Sequence, residues 1–183
     1  MITLVTGGIR SGKSEYAESL LKDKNDTVYI ATAEITDKEM QERIQKHIAR
    51  RNPVWRTYEG FRNLQKAIGT EKNYLLDCVT NLVSGILFEK TGTKQDFNSD
   101  DVQAVIDDVM NELNVLICQV KQTDSNLIIV TNEVGSSIVP MNKISRAFAD
   151  IQGIVNSKLA KIVDNAVLMA CGIPIQLKGG NRN

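Results

Sequence analysis

Apolar residues along the chain fall into short runs, and several of these runs are almost uninterrupted, as at 127–130. Uninterrupted apolar runs are typical of strands that are covered on both faces, as in a parallel sheet. We predict strands at 2–6, 27–33, 54–58, 73–78, 126–131, 165–171 and 173–177.

The segments between these runs have helical periodicity, with apolar residues every three or four positions. Ile151, Val155 and Leu159 are one example. Pro140 fits the first turn of the last helix. We predict helices at 13–23, 37–51, 61–69, 79–90, 100–122 and 141–163.

The alternation of strands and helices predicts an α/β fold, a three-layer sandwich built on a mostly parallel sheet. The tight turn at 171–174 predicts an antiparallel edge strand at the C-terminal end. A length of 183 residues predicts a single domain, 1–183.

Charge and composition narrow the class of protein. The chain carries 22 basic and 22 acidic residues, which disfavours a dedicated nucleic-acid binder. No apolar run is long enough for a membrane span. Cys78, Cys118 and Cys171 each lie in an apolar segment, so we expect buried free thiols in a reducing cytoplasm.

A phosphate-binding loop follows the first predicted strand. The pattern Gly-x-x-x-x-Gly-Lys-Ser sits between a strand and a helix, where backbone N–H groups and the helix N-terminus can surround an anion. Lys13 would reach the β and γ phosphates, and the Ser14 hydroxyl would bind Mg²⁺. The alternative is a glycine-rich turn that happens to carry a lysine. The loop consists of Gly7, Gly8, Ile9, Arg10, Ser11, Gly12, Lys13 and Ser14.

Two carboxylates lie at or just after the ends of predicted strands. Asp77 ends the strand at 73–78, which is the Walker B pattern for a Mg²⁺-binding carboxylate, although a plain turn or cap is the alternative. Glu133 follows the strand at 126–131. It could position a hydroxyl nucleophile or the metal, or it could cap the next helix.

His47 is the only histidine, and it lies at the edge of the apolar stripe of the predicted helix 37–51. Arg43, Arg50 and Arg51 surround it at helical spacing. From the residues alone, such a histidine is most often a packing residue. The arginines could form a phosphate pocket or simply the solvated face of the helix.

The motifs together resemble one family nearly from end to end. They are Gly7-Gly8 with Arg10 to Ser14, Tyr29 to Ala33, Glu39-Met40 through His47, Trp55-Arg56-Thr57, Leu76-Asp77-Cys78, Thr131 to Gly135, Ile138 to Pro140 with Asn142, and Ile151 with Gly153, Val155 and Asn156. The chain resembles the bifunctional adenosylcobinamide kinase / adenosylcobinamide-phosphate guanylyltransferase family of cobalamin biosynthesis. Asp77 stands where some relatives carry Glu.

This resemblance implies a RecA-like P-loop NTPase fold and two reactions. A nucleoside triphosphate, GTP or ATP, phosphorylates adenosylcobinamide, and GMP from GTP is then joined to adenosylcobinamide phosphate through a guanylylated histidine, here His47. It also implies Mg²⁺, a cytoplasmic homotrimer and catalytic roles for His47 and Lys13. The further nucleotide contacts that it implies are Glu34, Ile35, Thr36, Arg51, Asn52, Pro53 and Val54, with Glu59, Arg62 and Thr80 as weaker candidates.

Two alternatives remain open from the sequence. One is a single-activity P-loop small-molecule kinase in which His47 is structural. The other is a RecA-like ATPase or regulatory module that acts on protein or nucleic acid. A corrin macrocycle also requires a broad apolar surface, which the sequence pattern does not distinguish from core or subunit contacts.

Overall fold

The computed structural model describes residues 1–33, 41, 45, 48, 51–92, 98–136 and 138–180. Within these residues the chain forms one seven-stranded sheet. The strands are β1 (Ile2–Gly7), β2 (Thr27–Ala31), β3 (Arg56–Glu59), β4 (Asn73–Asp77), β5 (Asn126–Val130), β6 (Asn165–Ala170) and β7 (Ile173–Lys178).

The strand order is β3-β2-β4-β5-β1-β6-β7. The first six strands in this order are parallel, and β7 pairs antiparallel with β6 at the edge. This topology confirms the predicted α/β sandwich and its antiparallel edge strand. Because the parallel strands share one direction, the loops that follow them meet at a single edge, which we call the carboxyl edge.

Helices cover both faces of the sheet. The described helices are α1 (Lys13–Ser19), α2 (Val79–Thr91), α3 (Ser99–Gln122) and α4 (Lys143–Ile162), with a short 3-10 helix at Leu64–Ala67. The larger core cluster joins the sheet to the last three α-helices and the 3-10 helix, and the smaller one packs α1 against the other face. The predicted apolar stripe of α4 is confirmed by Ile151, Val155 and Leu159, which are fully buried.

Several predicted boundaries were wrong. The segment 61–69 forms only the four-residue 3-10 helix, and α1 ends at Ser19 rather than at 23. Pro140 precedes α4 instead of lying in its first turn, because the Asn142 side chain accepts the N–H groups of Ile144 and Ser145 and caps the helix there. In the predicted helix 37–51, Gln41, Gln45 and Ile48 are helical, and its other residues up to 50 lie outside the described part.

The expectation of three buried thiols was also wrong. Only Cys78 is buried, whereas Cys118 and Cys171 are exposed. Cys118 lies on α3 beside the buried stripe rather than in it, and Cys171 lies in the turn between β6 and β7. Burial raises the pKa of the Cys78 thiol to about 11. Within the described ranges, no helix combines the length and apolar composition that a membrane crossing requires.

We predict that a thiol reagent such as Ellman's reagent titrates two thiols in the native protein at pH 7.5 and three after unfolding. Cys118 and Cys171 are accessible, while Cys78 is shielded and is almost entirely protonated at this pH. A Cys78→Ala variant serves as the control, since its count is the same native and unfolded. Rapid reaction of all three native thiols would contradict the placement of Cys78.

Candidate nucleotide-binding site

The phosphate loop connects β1 to α1 at the carboxyl edge. Gly12 has φ +90°, a left-handed conformation that side chains with a Cβ rarely adopt, and it precedes the first helical residue, Lys13. The Lys13 side chain is only 9% exposed, and its Nζ donates to the Gly8 carbonyl over 2.8 Å. The ammonium group therefore lies across the loop that is expected to hold phosphate.

Polar groups inside the loop are available to a ligand. The Ser11 Oγ is buried and has no hydrogen-bond partner among the described residues. Unpaired buried hydroxyls are costly in a folded protein. A phosphate oxygen in the loop would supply the acceptor that the Ser11 hydroxyl lacks, so the loop fits an anionic ligand.

The loop is held between two neighbouring strand ends. The Glu133 N–H, after β5, donates to the Gly7 carbonyl over 2.9 Å, and the Gly172 N–H, after β6, donates to the Ser11 carbonyl over 3.1 Å. At Gly7, a Cβ would lie 2.6 Å from both the Met169 carbonyl oxygen and the Ser11 Oγ. Glycine is therefore required at this position by close packing.

Asp77 ends β4 at the same edge. It is in register with Val130 of β5, which is in register with Val5 of β1, so it lies two strand spacings, about 10 Å, from β1. The Tyr29 hydroxyl donates to its Oδ2 over 2.8 Å. The Thr32 hydroxyl both donates to the Cys78 carbonyl (2.6 Å) and accepts from the Cys78 N–H (2.9 Å), which holds the backbone next to Asp77.

Arg51 reaches this carboxylate indirectly. Its guanidinium carbon lies 3.4 Å from the centroid of the Tyr29 ring, a cation–π contact. Its Nε is buried without a hydrogen-bond partner among the described residues. Burial, and then the charge of Asp77, raises the pKa of Tyr29 above its usual range, so the phenol stays protonated and remains a donor to Asp77. Arg51, Tyr29 and Asp77 thus form one connected cluster.

A buried polar network holds the end of β5. Gln152, fully buried on α4, donates from Nε2 to the Thr131 Oγ1 (3.0 Å) and to the Asn156 Oδ1 (2.9 Å). Asn156 donates to the Asn132 carbonyl over 2.9 Å, and the Asn132 N–H donates to the Thr80 hydroxyl over 3.0 Å. This network places Thr80, at the start of α2, beside the loop that carries Glu133.

Glu133 is partly exposed, and its Oε1 accepts from the Gly135 N–H over 2.7 Å. Its backbone contact with Gly7 places this carboxylate next to the phosphate loop. This position agrees with a role in positioning a hydroxyl nucleophile or in binding the metal. The observed hydrogen bond of the Glu133 side chain is made within its own loop and not at a helix N-cap.

Other predicted site residues lie elsewhere. Glu59 ends β3 in register with Ala31, four strand spacings or about 19 Å from β1. The Arg62 side chain forms ion pairs with Glu89 and Asp108 on α2 and α3, at 2.7 and 2.9 Å.

The turn at 52–54 lies at the opposite, amino edge of the sheet. The Asn52 Nδ2 donates to the Asn25 Oδ1, and the Trp55 Nε1 next to this turn donates to the Lys24 carbonyl, just before β2 begins. A single chain therefore does not bring Asn52, Pro53 and Val54 to the phosphate loop. Glu34, Ile35, Thr36 and His47 lie outside the described residues.

Sequence reasoning missed two residues that shape the site. Tyr29 is hidden within an apolar strand, and nothing in the local pattern indicates its contacts with Asp77 and Arg51. Gln152 did leave a signal, because it is a polar residue next to Ile151 in a stripe that is otherwise apolar. Such a residue indicates either a boundary of the stripe or a buried hydrogen-bond network.

The fold and the site define a P-loop nucleotide-binding protein of the RecA-like class, because of the strand order, the phosphate loop and the carboxylate at the end of β4. A prototypical ATPase from the type III secretion system of pathogenic bacteria has a similar fold, with a TM-score of 0.57 and 10% identity over 92% of this chain and 52% of that one. The chain belongs to the cobinamide kinase / cobinamide phosphate guanyltransferase family, whose family model matches residues 3–177.

Curated relatives agree over nearly the whole chain. The bifunctional adenosylcobalamin biosynthesis protein CobU of Escherichia coli (strain K12) is 40% identical over 182 residues, which is 97% of this chain and 100% of that protein. The protein of the same name from Salmonella typhimurium (strain LT2) is also 40% identical, with the same coverage of both chains.

We predict that Tyr29→Phe lowers the free energy of unfolding by about 1–2 kcal/mol at pH 8, since the variant loses the bond to Asp77. The pKa of Tyr29 is raised in the folded state, so its contribution to stability is complete below pH 10 and falls as the pH rises above that value.

Urea unfolding at pH 8 and pH 11 tests this prediction. Above pH 10, the free energy of unfolding of the parent should fall by about 1.4 kcal/mol per pH unit more than that of the variant. Tyr74 is present in both proteins, so its own ionisation cancels in the comparison. Equal losses in the two proteins would contradict the buried, protonated state of Tyr29.

Proposed function

We propose that this chain phosphorylates adenosylcobinamide with a nucleoside triphosphate and then transfers GMP from GTP to the product, yielding adenosylcobinamide-GDP and pyrophosphate in cobalamin biosynthesis. The observation that carries this proposal is the family match over residues 3–177, combined with the phosphate loop at the carboxyl edge. The two curated relatives, both named as bifunctional proteins of adenosylcobalamin biosynthesis, support both activities.

In the kinase step, the acceptor hydroxyl oxygen bonds to the γ-phosphorus and its proton passes to solvent. The bond from that phosphorus to the β-phosphate oxygen breaks, and the nucleoside diphosphate leaves. The loop N–H groups and Lys13 hold the phosphates and stabilise the charge that develops on them. The Ser14 hydroxyl and the Asp77 carboxylate are oxygen ligands of the kind that Mg²⁺ prefers. These two groups would hold Mg²⁺, which would supply positive charge next to the phosphate oxygens.

In the transferase step, a His47 ring nitrogen attacks the α-phosphorus of GTP and pyrophosphate leaves. An oxygen of adenosylcobinamide phosphate then attacks the same phosphorus and displaces the imidazole, which completes the transfer of GMP. A neutral imidazole nitrogen has a free lone pair, so His47 can act as the nucleophile of this covalent route. Arg51, already next to Asp77 through Tyr29, is suited to hold phosphate charge.

The remaining nucleotide contacts are proposed from the family match. The position of Thr80 beside the loop that follows β5 supports its contact with the nucleotide. The contacts of Arg62 and Glu59 have less support, because Arg62 is engaged in ion pairs and Glu59 lies far from β1. The other proposed contacts are Glu34, Ile35, Thr36, Asn52, Pro53 and Val54.

We assign the chain as a single domain, 1–183, acting as a cytoplasmic homotrimer. The turn at 52–54 lies at the amino edge, about 17 Å along the strands from the phosphate loop, so a neighbouring subunit would have to supply it to that site. Exposed apolar side chains on α4 and β7 offer a contact surface between subunits. We call them the α4–β7 patch: Ile154, Ile162, Ile175 and Leu177.

We predict that His47→Ala abolishes guanylyl transfer, lowering its rate by about three orders of magnitude or more, while kinase activity stays within about threefold. Gln45→Ala, on the same predicted helix, is the matched control and keeps both activities. Incubation of the parent with GTP and Mg²⁺ should give a protein adduct of the mass of GMP that His47→Ala lacks. Guanylyl transfer that survives in the variant would contradict the covalent route through His47 and would leave this residue a structural role.

We predict that the parent sediments as a trimer of about 61 kDa, three times the chain mass of 20.3 kDa. Charging the α4–β7 patch with Ile175→Asp and Leu177→Asp should shift it towards the monomer, because isolated carboxylates are costly to bury in an apolar contact. Phe88→Asp, an exposed apolar position on α2, is the control and keeps the trimer. A patch variant that stays trimeric would show that the subunits meet elsewhere.

A further inference from the structure

Three large apolar side chains in the loop between β5 and α4 are exposed to solvent. Ile138 is 93% exposed, Val139 75% and Met141 98%. Single exposed apolar residues are common on protein surfaces, but a cluster of this kind usually marks a contact surface. These side chains contribute little to the core, so the stability of the fold does not explain their character.

The loop that carries them is anchored. The Arg146 Nη1 donates to the Pro140 carbonyl over 2.9 Å and to the Met141 carbonyl over 2.6 Å. Asn142 then caps α4 through its contacts with two backbone N–H groups. Two backbone carbonyls of the loop are therefore hydrogen-bonded within the protein, while its apolar side chains are exposed.

This loop belongs to the surroundings of the phosphate loop. It starts where the Glu133 N–H bonds to the Gly7 carbonyl, and it ends at α4 on the same edge of the sheet. Two further exposed apolar residues lie here: Ile9 in the phosphate loop itself, 78% exposed, and Ile173, 64% exposed, next to the Gly172 that bonds to Ser11. We call Ile9, Ile138, Val139, Met141 and Ile173 the apolar rim.

We propose that the apolar rim binds the corrin ring of adenosylcobinamide, an inference that rests on the proposed function. The acceptor hydroxyl must reach the terminal phosphate held at Lys13, and the macrocycle that carries it is too large to enter the loop. The ring must therefore rest on the surface next to the phosphate loop. The apolar rim offers methyl and methylene groups to the ring face, while the amide side chains of the ring stay in water.

Continuity with the phosphate loop distinguishes this surface from the α4–β7 patch. Both flanking segments of the rim are hydrogen-bonded to phosphate-loop carbonyls, at Gly7 and Ser11, and Ile9 belongs to that loop. A ligand that contacts Ile9 and these two flanking segments would therefore lie next to the phosphate loop. A second copy of the chain placed here would instead cover the entrance that the corrinoid needs.

The test is a triple variant, Ile138→Ser, Val139→Ser and Met141→Ser, with Phe88→Ser on α2 as the matched control. Binding of adenosylcobinamide is followed by the absorbance of the corrin, and binding of GTP by calorimetry. We expect the Kd and KM for adenosylcobinamide to rise at least about tenfold, equivalent to about 1.4 kcal/mol. The Kd for GTP and the kcat at saturating corrinoid stay near the parental values, since Lys13 and its loop are unchanged.

Met141→Ser alone is a second variant, chosen because its side chain is 98% exposed and contributes almost nothing to folding. It should weaken corrinoid binding in the same direction and by less than the triple variant. Parental corrinoid affinity in both variants would overturn the proposal. A triple variant that binds the corrinoid normally but no longer sediments like the parent would also overturn it, and would make the rim a subunit contact. A parent that neither binds nor phosphorylates adenosylcobinamide would instead show that the proposed function is wrong.

Discussion

The structure depends on the close packing of the phosphate loop between the ends of β5 and β6. A side chain at Gly7 has no room, because its Cβ would meet the Met169 carbonyl and the Ser11 hydroxyl at 2.6 Å. Backbone hydrogen bonds to Gly7 and Ser11 then join the loop to both neighbouring connections. This contact gives a glycine-containing segment a defined shape, which is the preorganisation that anion binding and charge stabilisation require.

The same packing explains how residues far apart in sequence act together. Parallel pairing of β1, β5 and β4 aligns the phosphate loop, Glu133 and Asp77 along one edge. Behind them, Gln152 and Asn156 hold the β5 loop, and Tyr29 holds Asp77. These hydrogen bonds fix the backbone and Asp77 around the phosphate loop. The apolar rim, where we propose that the corrin ring binds, is continuous with this part of the fold.

Much of the fold could be predicted from the sequence, because burial leaves a local signature. Strands covered on both faces read as apolar runs, and α3 and α4 carry stripes at helical spacing. The errors occurred where a local pattern competes with a side-chain contact. Asn142 rather than Pro140 sets the start of α4, and Cys118 lies one position off the buried stripe despite its apolar neighbours.

The candidate site was predictable only in part. The phosphate loop is a contiguous motif, so its eight residues were visible together, and Asp77 was visible as a carboxylate after an apolar run. Strand order is a long-range property that local patterns do not encode. The stacking of Arg51 on Tyr29, and the position of 52–54 at the opposite edge, therefore became apparent only in three dimensions.

We infer that the phosphate loop, with Lys13 across it, binds the nucleoside triphosphate. This inference is tested by calorimetric titration of GTP with Mg²⁺ into the parent and into Lys13→Ala, with urea unfolding to compare their stabilities. We expect the variant to bind GTP about a hundredfold more weakly, a loss of about 2.7 kcal/mol in binding free energy. A folded variant that binds GTP as tightly as the parent would contradict it.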